Sequence, residues 1–470
     1  MFTIAMQTKR QFSVINSGMA GLLIFSLLLA PATVWPAARQ PSVDALQRQV
    51  AALQGRVATL EQQLSKVLQL VSKQSAANKA AVQPAAAESR PVAVINPPAD
   101  SRIVRSIGNS AINIGGRLKI DAIYNSRSTG GNSGSNGGDV AFLPAAIPLT
   151  GNGETNQLSF DARETRLWVK SYSPSDYGEM AGYVEVDFSS ASSASNEKAS
   201  NAFIPRLRHA YGTLGGFTLG QTYTTFMNVS AFPEINDLNG PVGIMNIRQP
   251  LFRYEYHRGR GKLFVAVENP ETTLVTTAGS RIAPDDDRLP DMIGKVEFTG
   301  DWGNWSLAGM LREIRSDGAV VAGVADSAWG GAVSASGRIR LAGQDNLRFN
   351  LAYGNALGRY LSYNAFDDGI IDSNGRINLN RVSGGYIVYQ HWWTDTLRSN
   401  AGVGFGHADY SATLAPGSAN KNFYSTNLNL IWSPSLNSSI GLEWLHGFRE
   451  LEDGREGQLD RLQLTSMYKF

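Results

Sequence analysis

The side chains best suited to chemistry in this sequence are arginines at alternate positions within short apolar runs. Successive side chains of a β-strand point to opposite faces, so alternate positions share one face. On the polar faces, basic residues outnumber acidic ones by roughly two to one when the period-2 pattern is followed. Arginine can hold a carboxylate through two parallel hydrogen bonds, so such a face is suited to small anions. The candidate pore-lining and anion-binding residues are Arg117, Arg166, Arg206, Arg208, Arg253 and Arg348.

One connection between these runs, residues 226–248, is more apolar than the others and contains two carboxylates. A connection surrounded by bulk water would resemble residues 129–138, which are all Gly, Asn, Ser or Thr. We therefore predict that 226–248 folds inward and forms a constriction with Glu234, Asp237 and Arg248. The alternative is an outer loop that packs against neighbouring subunits.

The two carboxylates of this constriction loop are expected to face arginines on the opposite wall. Opposed charges across a narrow passage create a transverse field that orients a dipolar solute. The alternative for any one arginine is pairing with a neighbouring strand, which would only stiffen the wall. The arginines predicted to face the loop are Arg117, Arg166, Arg208 and Arg253.

The sequence lacks the arrangements that an enzyme would need. It has no cysteine, which excludes disulfides and thiolate metal sites. Its five histidines are scattered without ligand spacing, and we find no Ser–His arrangement and no Gly-rich phosphate loop. We expect no catalytic residue, metal or cofactor. A formal net charge of +2, without a dense basic tract, also gives no reason to expect a nucleic-acid partner.

The elements that position these side chains are predicted to be β-strands in the whole region after about residue 107. Runs of period-2 alternation with turn residues at their ends define sixteen strands. Tight and longer connections alternate between them, as in an antiparallel up-and-down barrel with both ends on one side of a membrane. The predicted strands are 111–125, 158–173, 178–188, 203–214, 217–225, 249–258, 262–269, 291–300, 303–314, 330–341, 345–354, 383–392, 396–409, 422–433, 437–447 and 458–470.

The last predicted strand, 458–470, gives the strongest indication of a membrane barrel. Alternate residues from Leu462 to Phe470 are mostly apolar, and those between them are largely polar. Pairing of the last strand with the first leaves no strand edge unpaired in lipid. A charged fraction of only 17% suits a wall with one face in lipid and the other in water. The alternative is the final strand of a soluble sandwich.

The N-terminal residues 1–38 have the pattern of a signal peptide. A positively charged end precedes the apolar run 19–30, which is too short to span a membrane as a stable helix. Cleavage could follow Ala32 or Ala38.

Residues 39–75 are predicted to form a coiled coil in the periplasm. A strict heptad pattern favours this over a helix that packs on its own domain, which would need a wider apolar stripe. An Ala/Pro-rich linker, 76–106, should separate the coil from the barrel at 107–470. The predicted coil core consists of Val43, Leu46, Val50, Leu53, Val57, Leu60, Leu64, Val67 and Val71.

Together these features resemble the DcaP-like porins, a family of trimeric outer-membrane porins of Gram-negative bacteria. The likeness rests on the export signal, the coil, the linker and the stretch 206–222 that leads into the constriction loop. The ending Tyr468-Lys-Phe470 adds to it and resembles the signal recognised by the barrel-assembly machinery. The resemblance implies a homotrimer in outer-membrane lipid that passes small negatively charged solutes such as dicarboxylates.

Two questions remain open on the sequence. The β-branched and Leu core positions of the coil favour two strands in isolated peptides, whereas the resemblance implies three chains. We expect the trimer, because barrel contacts bury more surface than a short coil. The functional hypothesis is an anion-leaning diffusion channel, and the alternative is a selective channel for phosphate, sugars or aromatic acids on the same barrel.

Overall fold

The computed structural model describes residues 103–107, 110–128, 140–151, 155–189, 201, 203–237, 239–318, 323–411 and 413–470, and the single helical residue Gln62. Within these residues, sixteen antiparallel strands form a closed barrel, as the sequence predicted. The predicted signal peptide and coiled coil lie outside the described residues, apart from Gln62. The strands are β1 (Ser110–Arg127), β2 (two segments, Thr155–Asp161 and Arg166–Ser175), β3 (Gly178–Asp187), β4 (Arg206–Leu214), β5 (Phe217–Tyr223), β6 (Arg248–Arg258), β7 (Gly261–Glu268), β8 (Asp291–Gly300), β9 (Gly303–Asp317), β10 (Ala325–Arg340), β11 (Asn346–Asn355), β12 (Arg381–Trp392), β13 (Leu397–Asp409), β14 (Asn420–Ser435), β15 (Ser438–Leu451) and β16 (Glu456–Lys469).

The barrel closes where β1 pairs with β16, in a register that joins Arg117 to Lys469. Two backbone hydrogen bonds of 3.0 Å between Gly116 and Phe470 extend this pairing to the last residue. A Cβ on Gly116 would lie 2.4 Å from the Phe470 ring, so the terminal aromatic ring packs where only glycine leaves room. Just before β1, the short strand Ile103–Ile107 pairs with its first residues, so strand structure begins inside the predicted linker.

The wall alternates as the period-2 pattern requires. Outward side chains such as Leu118 and Ile120 are more than half exposed, whereas Lys119 between them is buried in the lumen. No helix among the described residues is long and apolar enough to cross a membrane.

Two bulges alter this alternation. In β2, the four residues 162–165 stand opposite only three residues of β1. Within this bulge, the Glu164 carboxylate accepts a hydrogen bond of 2.8 Å from Lys119 Nζ. In β4, the register shifts so that Arg208 is an extra residue between the pairs Glu185–His209 and Val186–Leu207. Bulges add a residue to one strand and reorient side chains locally. Arg208 and His209 therefore both lie on the lumen side.

The connections at the two ends of the barrel differ in length, as the sequence predicted. Among the described residues, seven tight turns lie on the side where β1 begins and β16 ends, and the longer connections lie opposite. Two of the latter, 318–324 and 452–455, are short because β9, β10, β15 and β16 extend beyond their predicted bounds.

The lumen is filled on the side of the long connections by an apolar core made from several of them. Loop L3 (residues 224–247) contributes Phe226 and Val242, loop L6 (residues 356–380) contributes Phe366, and the first connection contributes Phe142. L6 also joins a second, four-stranded sheet, in which Gly369–Ile371 pairs with Leu274–Thr276. The sequence predicted inward folding of one connection only.

Candidate functional site

Loop L3 crosses the lumen and contacts the opposite wall. The backbone nitrogen of Val242 donates to Ser425 Oγ at 2.9 Å, and Asn350 Nδ2 donates to the Gly243 carbonyl at 3.0 Å. Gly243 has a φ of +83°, and a Cβ there would overlap the backbone of Gly385 on β12. The loop is therefore fitted closely against strands far from those that it connects.

Glu234 of L3 is held by the wall on β12 and β13. Its carboxylate accepts hydrogen bonds from Arg398 Nε at 2.6 Å, from Arg398 Nη2, and from Gln390 Nε2 at 2.7 Å. Burial alone would raise the pKa of this carboxyl, but the hydrogen bonds and positive charge of Arg398 lower the pKa below its ordinary value. Glu234 is thus an ionised group, and its side chain stays 36% exposed to the lumen.

Asp237 is held by a different part of the wall. It accepts a hydrogen bond from Arg461 on β16 and another, of 3.0 Å, from the backbone nitrogen of Phe142. On β15, the Glu443 carboxylate accepts from the backbone nitrogens of Asn236 and Asp237, at 2.8 and 3.2 Å. Two strands and the first connection therefore fix this end of the loop.

The two loop carboxylates do not form their ion pairs with the arginines that were predicted to face them. Glu234 and Asp237 form their ion pairs with Arg398 and Arg461, because L3 spans the full lumen and reaches the far wall. The arginines expected in that role were Arg117, Arg166, Arg208 and Arg253.

Arg117 and Arg166 nevertheless line the same cavity as Glu234 and Asp237, which has a volume of about 370 Å³. They stand directly opposite each other on β1 and β2, and Arg117 also stands opposite Lys469 on β16. This places three cations in one row across three strands. We call Arg166, Arg117 and Lys469 the first cation row.

A second group of cations lies toward the tight turns. Arg338 and Arg348 stand directly opposite each other on β10 and β11. Together with Arg398 they line a cavity of about 510 Å³. Glu234 and Lys469 line both this cavity and the first, so the two spaces meet there.

The candidate arginines differ in how far they are neutralised. Arg208 is fully buried and binds Glu185 at 2.5 Å and Asp187 at 2.7 Å, and Arg206 binds Asp187 at 2.7 Å. These two arginines mainly join β3 to β4.

Three other candidate cations, Arg248, Arg253 and Arg348, have no carboxylate at ion-pair distance within the described part of the chain. Arg248 instead donates to Asn246 at 3.4 Å, and Arg348 donates to the carbonyl of Phe232. These three candidates are thus the ones without a counter-charge among the described residues, and Arg253 and Arg348 line lumen cavities.

The sequence pattern did not predict several of the aromatic residues that line the lumen. The period-2 pattern of β4, followed from Arg206 and Arg208, places Tyr211 outside, but the bulge at Arg208 turns it inward. Tyr172 and Tyr223 line a lumen cavity together with Tyr211. Only the position of the bulge would have revealed Tyr211. No group of three His, Cys, Asp or Glu among the described residues could hold a metal ion.

A sixteen-stranded antiparallel barrel with an apolar outer face and a loop across its lumen is an outer-membrane β-barrel of the porin type. A family model described as DcaP outer membrane protein matches residues 41–470. The chain belongs to the DcaP outer membrane protein family.

A solved structure agrees with this fold, and others were found at lower similarity. The outer membrane channel DcaP of Acinetobacter baumannii is 23% identical, with a TM-score of 0.66 over 78% of this chain and 99% of that one. OmpT of Vibrio cholerae is 9% identical, with a TM-score of 0.48 over 78% and 100% of the two chains. An anion-selective porin from Comamonas acidovorans is 11% identical, with a TM-score of 0.46 over 77% and 100%. A search of curated proteins found no match.

Proposed function

We propose that this protein is a water-filled diffusion channel of the outer membrane that prefers small negatively charged solutes such as dicarboxylates. The observation that supports this most is the juxtaposition of like charges in the lumen, Lys469–Arg117–Arg166 and Arg338–Arg348. Like charges directly opposite on neighbouring strands are destabilising. Arg117 and Arg166 each have one carboxylate, Glu164 and Glu185, at 3.4 Å, whereas no carboxylate among the described residues lies at ion-pair distance from Lys469, Arg338 or Arg348. A wall that retains such like charges is suited to an anionic partner.

The balance of paired and unpaired charges supports the same proposal. Glu234 and Asp237, the two carboxylates of L3, are bound by Arg398 and Arg461. Arg253 and Arg348 have no such counter-charge among the described residues. Basic groups around a narrow passage stabilise an anion that has lost part of its hydration.

The two cation groups also suggest how a dicarboxylate could be accommodated. The first cation row and the Arg338–Arg348 pair line two cavities that share Glu234 and Lys469. A solute with a carboxylate at each end could contact one group while leaving the other. Binding that is distributed over several weak sites permits entry without trapping.

Uptake by proteoliposomes tests this proposal. Succinate and succinamide have the same carbon skeleton, but only succinate is charged. We expect succinate to enter faster, and we expect Arg166→Gln and Arg338→Gln each to reduce its advantage. Arg381→Gln, which changes an exposed arginine at the start of β12, is the matched control and should behave as wild type. Equal entry of the two solutes would overturn the proposal.

We further propose that three chains assemble, with the predicted coil at 39–75 in the periplasm and with Tyr468 and Phe470 read by the barrel-assembly machinery. The heptad pattern supports association of the chains, and the family resemblance supports the number three. Chemical cross-linking of the protein in outer membranes should yield a three-chain product. Cross-linked products that contain no more than two chains would contradict the three-chain assembly.

A further inference from the structure

A cavity of about 560 Å³ on the wall formed by β2 to β6 is unusually aromatic for a water-filled lumen. Lumen walls of such barrels are mostly polar. Here five rings meet on one side of the passage: Tyr183, Tyr211 and Tyr223 are half-buried, Tyr172 is exposed, and His209 is buried behind them. The rings that line the cavity belong to Tyr172, Tyr183, Tyr211, Tyr223 and His209.

Four of these rings form a continuous surface. The ring centroids of Tyr183 and Tyr211 are 5.6 Å apart, those of Tyr183 and His209 5.8 Å, and those of His209 and Tyr223 4.8 Å. The planes are tilted by 51° to 71° in these pairs. Such rings do not make the flat, coplanar track on which a chain of sugar rings would slide. They form a cup that can meet a planar ring by its face and by its edge, the arrangements that aromatic pairs prefer.

The phenol groups leave hydrogen-bonding capacity inside the cup. Tyr183 donates its hydroxyl to Glu185 at 2.6 Å. The hydroxyls of Tyr172, Tyr211 and Tyr223 have no hydrogen-bond partner within the described part of the chain. Three donors are thus available beside the ring faces.

Cations surround the cup. Arg166, Lys170, Arg253 and Lys295 line the same cavity, and Lys170 Nζ lies 5.5 Å from the Tyr183 ring centre. Glu185 is the one acid among the described residues that line it, and Arg208 binds this carboxylate at 2.5 Å. The cavity therefore combines apolar ring faces with an excess of positive charge.

We propose that this cavity binds aromatic carboxylates, with the ring of the solute against Tyr183 and Tyr211 and its carboxylate toward Arg253 or Lys170. This inference rests on the proposed anion channel, because the solute must first enter the lumen. It assigns that channel a preference for anions with a planar aromatic ring over saturated anions of the same charge. Contact between aromatic rings contributes beyond the area that they bury, whereas a saturated ring gains only from burial.

Block of the chloride current in a planar bilayer tests the preference with two probes of equal charge and similar size, benzoate and cyclohexanecarboxylate. We expect benzoate to halve the current at a concentration about fivefold lower, the ratio given by one aromatic contact. In Tyr211→Leu this difference should vanish. Tyr353→Leu changes a tyrosine on the lipid face and is the matched control.

The outcomes separate the two proposals. Equal block of wild type by both probes would overturn the aromatic site while leaving the anion channel intact. A zero-current potential toward the potassium equilibrium value would instead overturn the proposed anion channel. If Tyr211→Leu forms no channel, Tyr172→Leu provides the second test, because that tyrosine lies near the end of β2 and its hydroxyl makes no hydrogen bond with any residue that the structure describes. Retained discrimination in a conducting tyrosine variant would also count against the site.

Discussion

Neutralising Glu234 should make the channel more selective for anions. This carboxylate is the exposed negative group of L3, with 36% of its side chain open to the lumen where the two cavities meet. In Glu234→Gln the amide can still accept a hydrogen bond from Arg398 or Gln390, so the loop should keep its place. What changes is one unit of charge, and the positive charge of Arg398 becomes uncompensated.

The size of the effect follows from Coulomb's law. An ion that passes about 7 Å from the carboxylate gains or loses about 0.6 kcal/mol in water. Salt at 0.1 M reduces this by about half, because that distance is close to the Debye length. The change has opposite signs for chloride and potassium, so their permeability ratio should shift toward chloride by about threefold.

The assay is the zero-current potential of purified protein in a planar bilayer with a KCl gradient. Asp453→Asn is the matched control, since it removes an acid that also pairs with an arginine, Arg455, at 2.9 Å but lies in an exposed turn. Its permeability ratio should equal that of wild type. A ratio that is unchanged in Glu234→Gln, at wild-type conductance, would show that ions do not pass near this group.

Three further predictions concern the contacts that hold the barrel and loop L3 in place. Gly116→Ala should lower the yield of folded barrel on heat-modifiability gels, because its Cβ would meet the Phe470 ring; a normal yield would contradict this packing. Arg312→Met should destabilise the barrel by about 3–5 kcal/mol in urea unfolding, because it leaves the buried carboxylate of Asp368 without its cation and that of Asp291 with Arg359 alone, at 3.8 Å. A loss below about 1 kcal/mol would refute this role. The pKa of Glu234 is lower in the folded protein than its ordinary value of 4.5. The ion pair therefore contributes its full stabilisation at pH values above 4.5, and this contribution is lost as the pH falls through the lowered pKa. Wild-type stability at pH 5 should therefore retain this contribution, and urea unfolding in which Glu234→Gln is as stable as wild type at pH 5 would contradict it.

The strands could be predicted because each has one face in lipid and one in water. β16 was predicted at 458–470 and lies at Glu456–Lys469, since its alternation continues without interruption. The apolar composition of L3 likewise indicated a packed loop. Both features are local, so a single stretch of sequence contains the information.

Other features depend on long-range packing that no local pattern contains. Period-2 alternation assigns a face to Arg398 and Arg461, but it gives neither their height in the barrel nor the span of L3, so it could not identify them as the ion-pair partners of Glu234 and Asp237. The apolar core of L6 forms against other loops, and its short sequence runs resemble ordinary connections. The bulge at Arg208 reverses the faces of the rest of β4, so the alternation pattern placed Tyr211 on the wrong face.

The central claim is that unpaired lumen cations give this barrel a preference for anions. The most direct test is the zero-current potential of the wild-type protein in a KCl gradient, compared with the double variant Arg253→Gln, Arg348→Gln. A potential toward the chloride equilibrium value that falls toward zero in the double variant is the predicted result. A wild-type potential toward the potassium equilibrium value would contradict the claim.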